Sequence, residues 1–406
     1  MSEFAGHLPG SRDYRRLLIG LFFGGVATFA QLYSTQALLP AIAEDVGTAP
    51  AGAALTVSAS TLGLAAAVIP WSIVADRIGR IPVMAIGLIA ATMLGAATPL
   101  AHDIVILLVL RLLEGAALGA VPAVALAYLS EEVDARHVAA AAGSYIAGTT
   151  VGGLSGRVLS GWVGEAAGWR WGVAFVVLLC VVAAVLFLSL VPAARGFVPG
   201  RRRAVRGPSI LRRLAVNLRS PVQLALYAQG FLLMGAFVAV YNYLGFHLSA
   251  APFSLPPVVI TLLFLAYLAG TFSSPQAGTM AVRYGRLPVL AIGIAVMAAG
   301  AALMLVPAVV AVLAGLIAFT AGFFAAHAVA SGWTPVAAAP EARAQASSLY
   351  YLGYYAGSSL FGWVLGVVFG AVGWGWFVAA VLAMCAAAFA LALVVLRRGG
   401  RATATA

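Results

Sequence analysis

Three charged residues stand deep inside long apolar runs of this 406-residue chain: Arg111, Glu114 and Arg157. Arg111 and Glu114 are three residues apart, so on a helix they share a face. An acid beside an arginine and far from bulk water suits three kinds of chemistry. Glu114 can carry a proton reversibly with Arg111 setting its affinity, the two can form a static ion pair, or they can touch a charged substrate. Burial and the arginine act in opposite directions on the proton affinity of Glu114, so it can titrate as water access alternates. Arg157 either belongs with them or snorkels toward the outer surface. His327 is a second proton-relay candidate, its alternative being a hydrogen-bonded structural histidine. Gln31, Thr35 and Gln36, with Asn242, Tyr351 and Tyr355, form a candidate substrate surface. Tyr350, Tyr351, Tyr354 and Tyr355 make i,i+4 pairs, which serve packing between helices equally well. Cys180 and Cys385 sit in apolar runs and imply neither a disulfide nor a metal site. No His/Cys/Glu cluster has metal-ligand spacing, which disfavours an intramembrane enzyme or sensor, and no cofactor is expected.

The elements that position these residues follow from composition. The chain is 63% hydrophobic and 9% charged, with a mean hydropathy of +1.04. Soluble globular proteins are roughly a quarter charged, so a soluble enzyme is excluded. Alternating segments of ~10 residues, the mark of a transmembrane barrel, are missing. A helix needs ~20 apolar residues to cross the hydrocarbon core. Runs and breakers give twelve such spans, at 17–40, 53–75, 82–100, 104–129, 138–163, 171–191, 222–248, 257–280, 288–306, 309–332, 346–370 and 374–396. The fold class is therefore an all-α membrane protein of twelve transmembrane helices. Ala41-Ile42-Ala43 resembles a signal-peptidase site, but the preceding run is longer than a signal core and holds Gln31, Ser34, Thr35 and Gln36. It reads as a retained first span.

All 23 basic residues are arginine, and the net charge is +11. With a cytoplasmic N-terminus, 20 of the 23 fall on the cytoplasmic side, eight of them between Arg195 and Arg219. The outer loops keep only Arg170, beside Glu44, Asp45, Asp103 and Glu165. This asymmetry supports an even span number with both termini cytoplasmic, and it accounts for the charge without a nucleic-acid partner. The remaining two arginines, Arg111 and Arg157, lie at similar depths inside their spans. Each of the three intramembrane charges would cost roughly 2.5–3.5 kcal/mol facing lipid, so they face a cavity or one another.

The chain also repeats itself. Arg77-Ile78-Gly79-Arg80-Ile81-Pro82-Val83, running on to Gly87, recurs 206 residues later as Arg283-Tyr284-Gly285-Arg286-Leu287-Pro288-Val289, running on to Gly293. Eight of these eleven positions are identical, which marks a duplicated six-span unit. The expected organisation is an N-terminal bundle over 1–192, an arginine-rich cytoplasmic linker over 193–220 and a C-terminal bundle over 221–406. In the linker, Ile210, Leu211, Leu214 and Leu218 form an apolar stripe beside Arg212, Arg213 and Arg219, as in a short helix lying on anionic headgroups, the alternative being a partner-binding segment.

These motifs resemble the major facilitator superfamily. Ser72-Ile73-Val74-Ala75-Asp76-Arg77-Ile78-Gly79-Arg80 is similar to its loop motif Gly-x-x-x-Asp-Arg-x-Gly-Arg, with Ser72 for the first glycine. The second copy keeps Gly278, Arg283, Gly285 and Arg286 but has Val282 in place of the acid. Arg111-Leu112-Leu113-Glu114-Gly115 resembles Arg-x-x-Gln-Gly, and Gly148-Thr149-Thr150-Val151-Gly152-Gly153 resembles the antiporter motif Gly-Pro-x-x-Gly-Gly. Together they resemble the twelve-span drug:proton antiporter branch of bacterial efflux permeases. The resemblance implies two six-helix bundles, a small-molecule site between them and proton-coupled export from a bacterial inner membrane by a monomer. It also implies that Asp76 gates the transporter by capping the helix that starts near Gln345. A carboxylate at a helix N-terminus is favourable, while plain positive-inside anchoring would need no acid. Gly148, Gly152 and Gly156 recur every four residues on one face, as do Gly362, Gly366 and Gly370, and small-residue ladders let helices approach closely. The first alternative is proton-coupled transport of a sugar or small organic anion, which Arg111 and Arg157 favour.

Overall fold

The computed structural model describes residues 6–134, 136–196 and 210–397. Much of the expected linker, including the stretch from Pro199 to Gly207, and the terminal Arg398 and Arg401 lie outside the described residues. The chain divides into two compact units, one of Met1–Thr48 with Leu55–Val205 and the other of Ala49–Ala54 with Arg206–Ala406.

In the first unit the helices are α1 (Arg12–Leu32), α2 (Leu39–Asp45), α3 (Pro50–Ile78, its first residues up to Ala54 falling in the second), α4 (Arg80–Ala97), α5 (Ile104–Leu118), α6 (Ala120–Glu132), α7 (Val138–Ala167) and α8 (Trp169–Leu190). In the second they are α9 (Ile210–Arg219), α10 (Pro221–Ser249), α11 (Pro257–Leu262), α12 (Tyr267–Tyr284), α13 (Arg286–Leu303), α14 (Val309–Val336) and α15 (Arg343–Leu391). Among the described residues, ten helical segments are long and apolar enough to cross a membrane. One of these, Pro340–Leu396, is interrupted at Gly373, whose φ of 77° and ψ of −174° are not helical, so it makes two crossings. The thirty-residue α7 supplies a further one, which brings the described residues to twelve.

Duplication shows in the turns. Gly79 and Gly285, each closing a copy of the repeated motif, adopt φ of 101° and 91°. Gly168 and Gly373, which open the final span of each half, adopt 90° and 77°. An L side chain is strained at these angles, so each tight turn needs glycine.

The repeat breaks at the first span. The 17–40 run reads as one helix, yet α1 ends at Leu32 and the chain passes through Tyr33–Thr35 and a 3₁₀ turn, Gln36–Leu38, before α2. Its counterpart α10 runs unbroken for 29 residues. The difference lies in the partners. Around α10, Tyr241 and Thr320 share a hydroxyl hydrogen bond of 2.7 Å, and the Tyr243 hydroxyl donates to the Gly362 carbonyl. Around the break in the first span stand two arginines.

α7 packs along α1 through the expected glycine ladder. A Cβ at Gly148, Gly152 or Gly156 would lie 2.1, 2.6 or 2.2 Å from the carbonyl oxygens of Phe22, Val26 and Ala30. Backbones this close exclude any larger residue. Gly153, one step off the ladder, makes room for Arg157 instead. In the second unit the ladder differs from expectation. Gly357 takes the close approach, against Phe231, Gly366 makes room for the Tyr243 hydroxyl, and Gly370 faces open space.

Candidate functional site

α5 carries Arg111 and Glu114 one turn apart, and both are buried, with 0% and 1% exposure. The Arg111 guanidinium reaches the break in the first span. Nη2 donates to the Leu32 carbonyl at 2.6 Å, and Nη1 donates to the Gln31 carbonyl at 3.2 Å and the Ser34 hydroxyl at 3.4 Å. Nε donates to the Thr56 carbonyl on α3 at 3.3 Å, and Nη1 also meets Glu114 Oε2 at 2.5 Å. The last carbonyls of a helix have no intrahelical partner, and a cation beside them is stabilising. Arg111 therefore caps α1 in mid-span, and the break is satisfied internally, as backbone at membrane depth must be.

Glu114 Oε2 is held by Arg111, and the Gln31 amide stands beside the carboxylate. Its Oε1 makes no hydrogen bond of normal geometry. That oxygen and the Gln31 amide nitrogen share the space a Cβ at Gly95 would fill, at 2.9 and 2.2 Å from it. Gln31 donates to the Ala91 carbonyl on α4. A buried carboxylate against a neutral amide is a place where a proton can be added without steric change.

Arg157 holds the other side of the break. Nε donates to Gln36 Oε1 at 2.6 Å, Nη1 donates to the Gly153 carbonyl, and the guanidinium lies 3.9 Å above the Tyr33 ring. With 2% exposure it does not snorkel. The candidate surface residues of the first span face inward within this unit. Gln31, Thr35 and Gln36 are buried, and Thr35 accepts from the Thr56 hydroxyl at 3.3 Å.

In the second unit the positions 206 residues after Arg111, Glu114 and Arg157 are Ile317, Thr320 and Trp363. Its buried polar side chains, among the described residues, are all neutral, and Asn242 is one of them. Aromatic rings take the place of charge. Phe237 stacks on Phe323 at 4.0 Å, Tyr241 meets Tyr267 at 4.5 Å, and His327 meets Tyr354 at 4.9 Å. His327 Nδ1 is 2.9 Å from the Tyr350 hydroxyl, so this histidine has a hydrogen-bonded place in the packing. Tyr350 is buried, Tyr351 is 46% exposed, and Tyr354 and Tyr355 are half-buried.

The repeated loop motif forms a separate cluster. Arg80 Nη1 donates to Asp76 at 2.7 Å and Nη2 donates to Glu131 at 2.8 Å, so one guanidinium ties the α3–α4 turn to the end of α6. The Asp76 carboxylate is 67% exposed. In the second copy Val282 is exposed and Arg283 stacks on Tyr284 at 5.1 Å. Ser72 lies inside α3 and Gly278 inside α12, seven residues before the turns at Gly79 and Gly285, while Arg77 and Arg286 flank those turns. Beyond α6, Arg136 hydrogen-bonds to Asp134 and holds its carboxyl down at about 2.

Several residues that complete these sites escaped the sequence reading. Ser34, Thr56 and Gly95 shape the Arg111–Glu114 centre, and Glu131 partners Arg80. Glu132 is fully buried, its Oε1 accepting from the Arg195 and Gly196 amides at 2.8 and 2.7 Å, with its carbonyl accepting from the His7 amide. The adjacent acids Glu131 and Glu132 at a span end were the available signal.

Residues 21–272 match the Major Facilitator Superfamily. Over 90% of this chain the sequence is 44% identical to Inner membrane transport protein YnfM of Escherichia coli K12, covering 87% of that protein. It is 33% identical to Uncharacterized MFS-type transporter YybF of Bacillus subtilis, over 90% of this chain and 89% of the relative. The fold is similar to that of a bacterial homolog to the human lysosomal transporter Spinster, crystallised inward-facing and occupied, with a TM-score of 0.79 at 16% identity over 96% of this chain and 98% of that one.

Proposed function

Because the chain belongs to the Major Facilitator Superfamily, and is a multi-pass membrane transporter rather than an enzyme, we propose that it couples proton entry to export of a small amphipathic or drug-like compound. The observation that carries this reading is the Arg111–Glu114 pair at the broken first span. Arg111 keeps four neutral acceptors besides the carboxylate. Glu114 can therefore take up a proton without stranding the arginine, on the Oε1 that faces the Gln31 amide. Losing one partner of the pair would let Tyr33–Leu38 rearrange, and alternating access needs such a two-state element. One proton entering down ~100 mV supplies about 2.3 kcal/mol, enough for a roughly fifty-fold gradient of a neutral substrate.

Aromatic rings without buried charge among the described residues of the second unit support an amphipathic substrate over a strongly charged one. The second reading, a sugar or small organic anion, is favoured by Arg157, a buried cation held by the amide of Gln36, a carbonyl and the Tyr33 ring. The arginine distribution supports cytoplasmic termini in a bacterial inner membrane.

Purified protein in liposomes with a pH-sensitive dye trapped inside tests the coupling. Addition of drug-like compounds, sugars or organic acids should produce proton movement for one class, and drug-like compounds are expected. No substrate-dependent proton movement for any class would remove proton coupling from the reading.

The gate is tested separately. Asp76→Asn should fold normally, since an exposed ion pair contributes only about 0–1 kcal/mol. It should nonetheless lose most transport, while Val282→Asp should be mild. Normal transport by Asp76→Asn would leave Asp76 as an ordinary surface partner of Arg80.

A further inference from the structure

α9 carries Arg212, Arg213 and Arg219, and the stretch from Arg195 to Ser220 has eight arginines and no acid. A ten-residue helix is too short to hold itself in water. α9 is fixed instead by Asn217, which is 1% exposed and donates to the Ala342 carbonyl at 3.0 Å, in the turn before α15. This clamp leaves a pocket lined by Arg212, Arg213, Val216, Glu341 and Ala342. Within it Arg213 Nε is buried and makes no hydrogen bond to the protein. A guanidinium N–H out of water without an acceptor is costly, and the planar fork matches phosphate oxygens two at a time.

We propose that this pocket binds the phosphodiester of an anionic phospholipid headgroup. Two observations favour a lipid over a free phosphate ion. Val216 and Leu218, beside the arginines, are 47% and 49% exposed, which suits a helix whose apolar side meets acyl chains while its arginines meet headgroups. Glu341 lines the same pocket, and its carboxylate repels a phosphate carrying −1.5 to −2 charges, by roughly the value for phosphate monoesters at pH 7, more than a singly charged diester. A bound headgroup would bridge α9 to the turn that starts α15, so the leaflet's anionic lipid content would set how firmly that turn is held. Headgroup binding here does not depend on Glu114 carrying a proton.

The test uses the full chain in a neutral detergent, titrated with phosphatidylglycerol, phosphatidylcholine or inorganic phosphate. Thermal unfolding and lipid retained in native mass spectra are read together. Phosphatidylglycerol should raise the unfolding temperature and remain bound, phosphatidylcholine should do neither, and millimolar inorganic phosphate should not displace the lipid. Arg212→Gln with Arg213→Gln should cut retained phosphatidylglycerol by roughly tenfold, as expected for losing two charge-assisted donors. Arg12→Gln, at an exposed arginine elsewhere, should leave it unchanged. If the double variant folds poorly, Arg213→Lys keeps the charge without the fork and should retain an intermediate amount. Equal retention of the two lipids, or unchanged retention in the arginine variants, would overturn the site. Stabilisation by inorganic phosphate equal to that by phosphatidylglycerol would overturn the lipid assignment.

Discussion

Glu114→Gln is expected to fold, to bind substrate and to exchange it downhill, yet to accumulate nothing against a gradient when a pH difference is imposed. Glutamine keeps the size of the side chain and can still accept from Arg111. It removes the titratable carboxylate that sits beside Arg111 in mid-span. Arg111 remains held by Gln31, Leu32, Ser34 and Thr56, so the break in the first span keeps its cap. The measurement is substrate-dependent proton flux in liposomes, wild type beside variant, with equilibrium exchange as the control for folding and binding. Undiminished proton flux in Glu114→Gln would move coupling elsewhere, and His327 would be the next group to substitute. Loss of exchange together with loss of stability would favour a static pair.

The sequence foretold the spans, and the reason is the solvent. Lipid offers no hydrogen bonds, so lipid-facing backbone must be helical and its side chains apolar, and such runs are visible in composition alone. α13 and α14, parted only near Pro307, came out as Arg286–Leu303 and Val309–Val336. The duplicated motif was legible because tight turns at Gly79 and Gly285 require glycine whatever surrounds them. The same logic reaches Gly168 and Gly373, although their flanking residues match less well.

The break at Tyr33–Leu38 was not legible. No glycine or proline falls within it, and its cause lies 80 residues away, in the guanidinium that takes the last carbonyls of α1. Pro40, at the start of α2, was the one local hint, since proline suits a helix beginning. Gly95 was silent for a similar reason. Its missing side chain matters only because Gln31 and Glu114 converge there from other helices. The intramembrane charges could be singled out by their cost, but their partners are backbone carbonyls, and those have no sequence signature.

The two units divide the chemistry unequally. Duplication supplied the same glycine turns to both, while the first unit kept its charges at a broken span and the second filled equivalent positions with Ile317, Thr320 and Trp363. A half with buried charges and a half with buried aromatic rings, on one backbone plan, predict that damage to each has a different character.

That difference is largest at Arg111. Arg111→Ala should fail to yield folded protein, or should unfold at a far lower temperature, where Glu114→Gln does not. Removing the arginine strands a carboxylate that is 1% exposed, and breaking a buried pair in this way costs about 3–5 kcal/mol. It also uncaps the Leu32 carbonyl at the end of α1 and takes a donor from Thr56 on α3, so three helices lose their common clamp. Adding Glu114→Gln to Arg111→Ala should restore part of the stability, because the stranded charge is gone, but not all of it, because the α1 end stays uncapped. Thermal unfolding in detergent of the wild type, both single variants and the double variant closes this cycle. Full recovery in the double variant would mean that the ion pair alone mattered and the capping of α1 did not. No loss in Arg111→Ala would mean that water reaches the pair and that neither charge is held as the geometry shows.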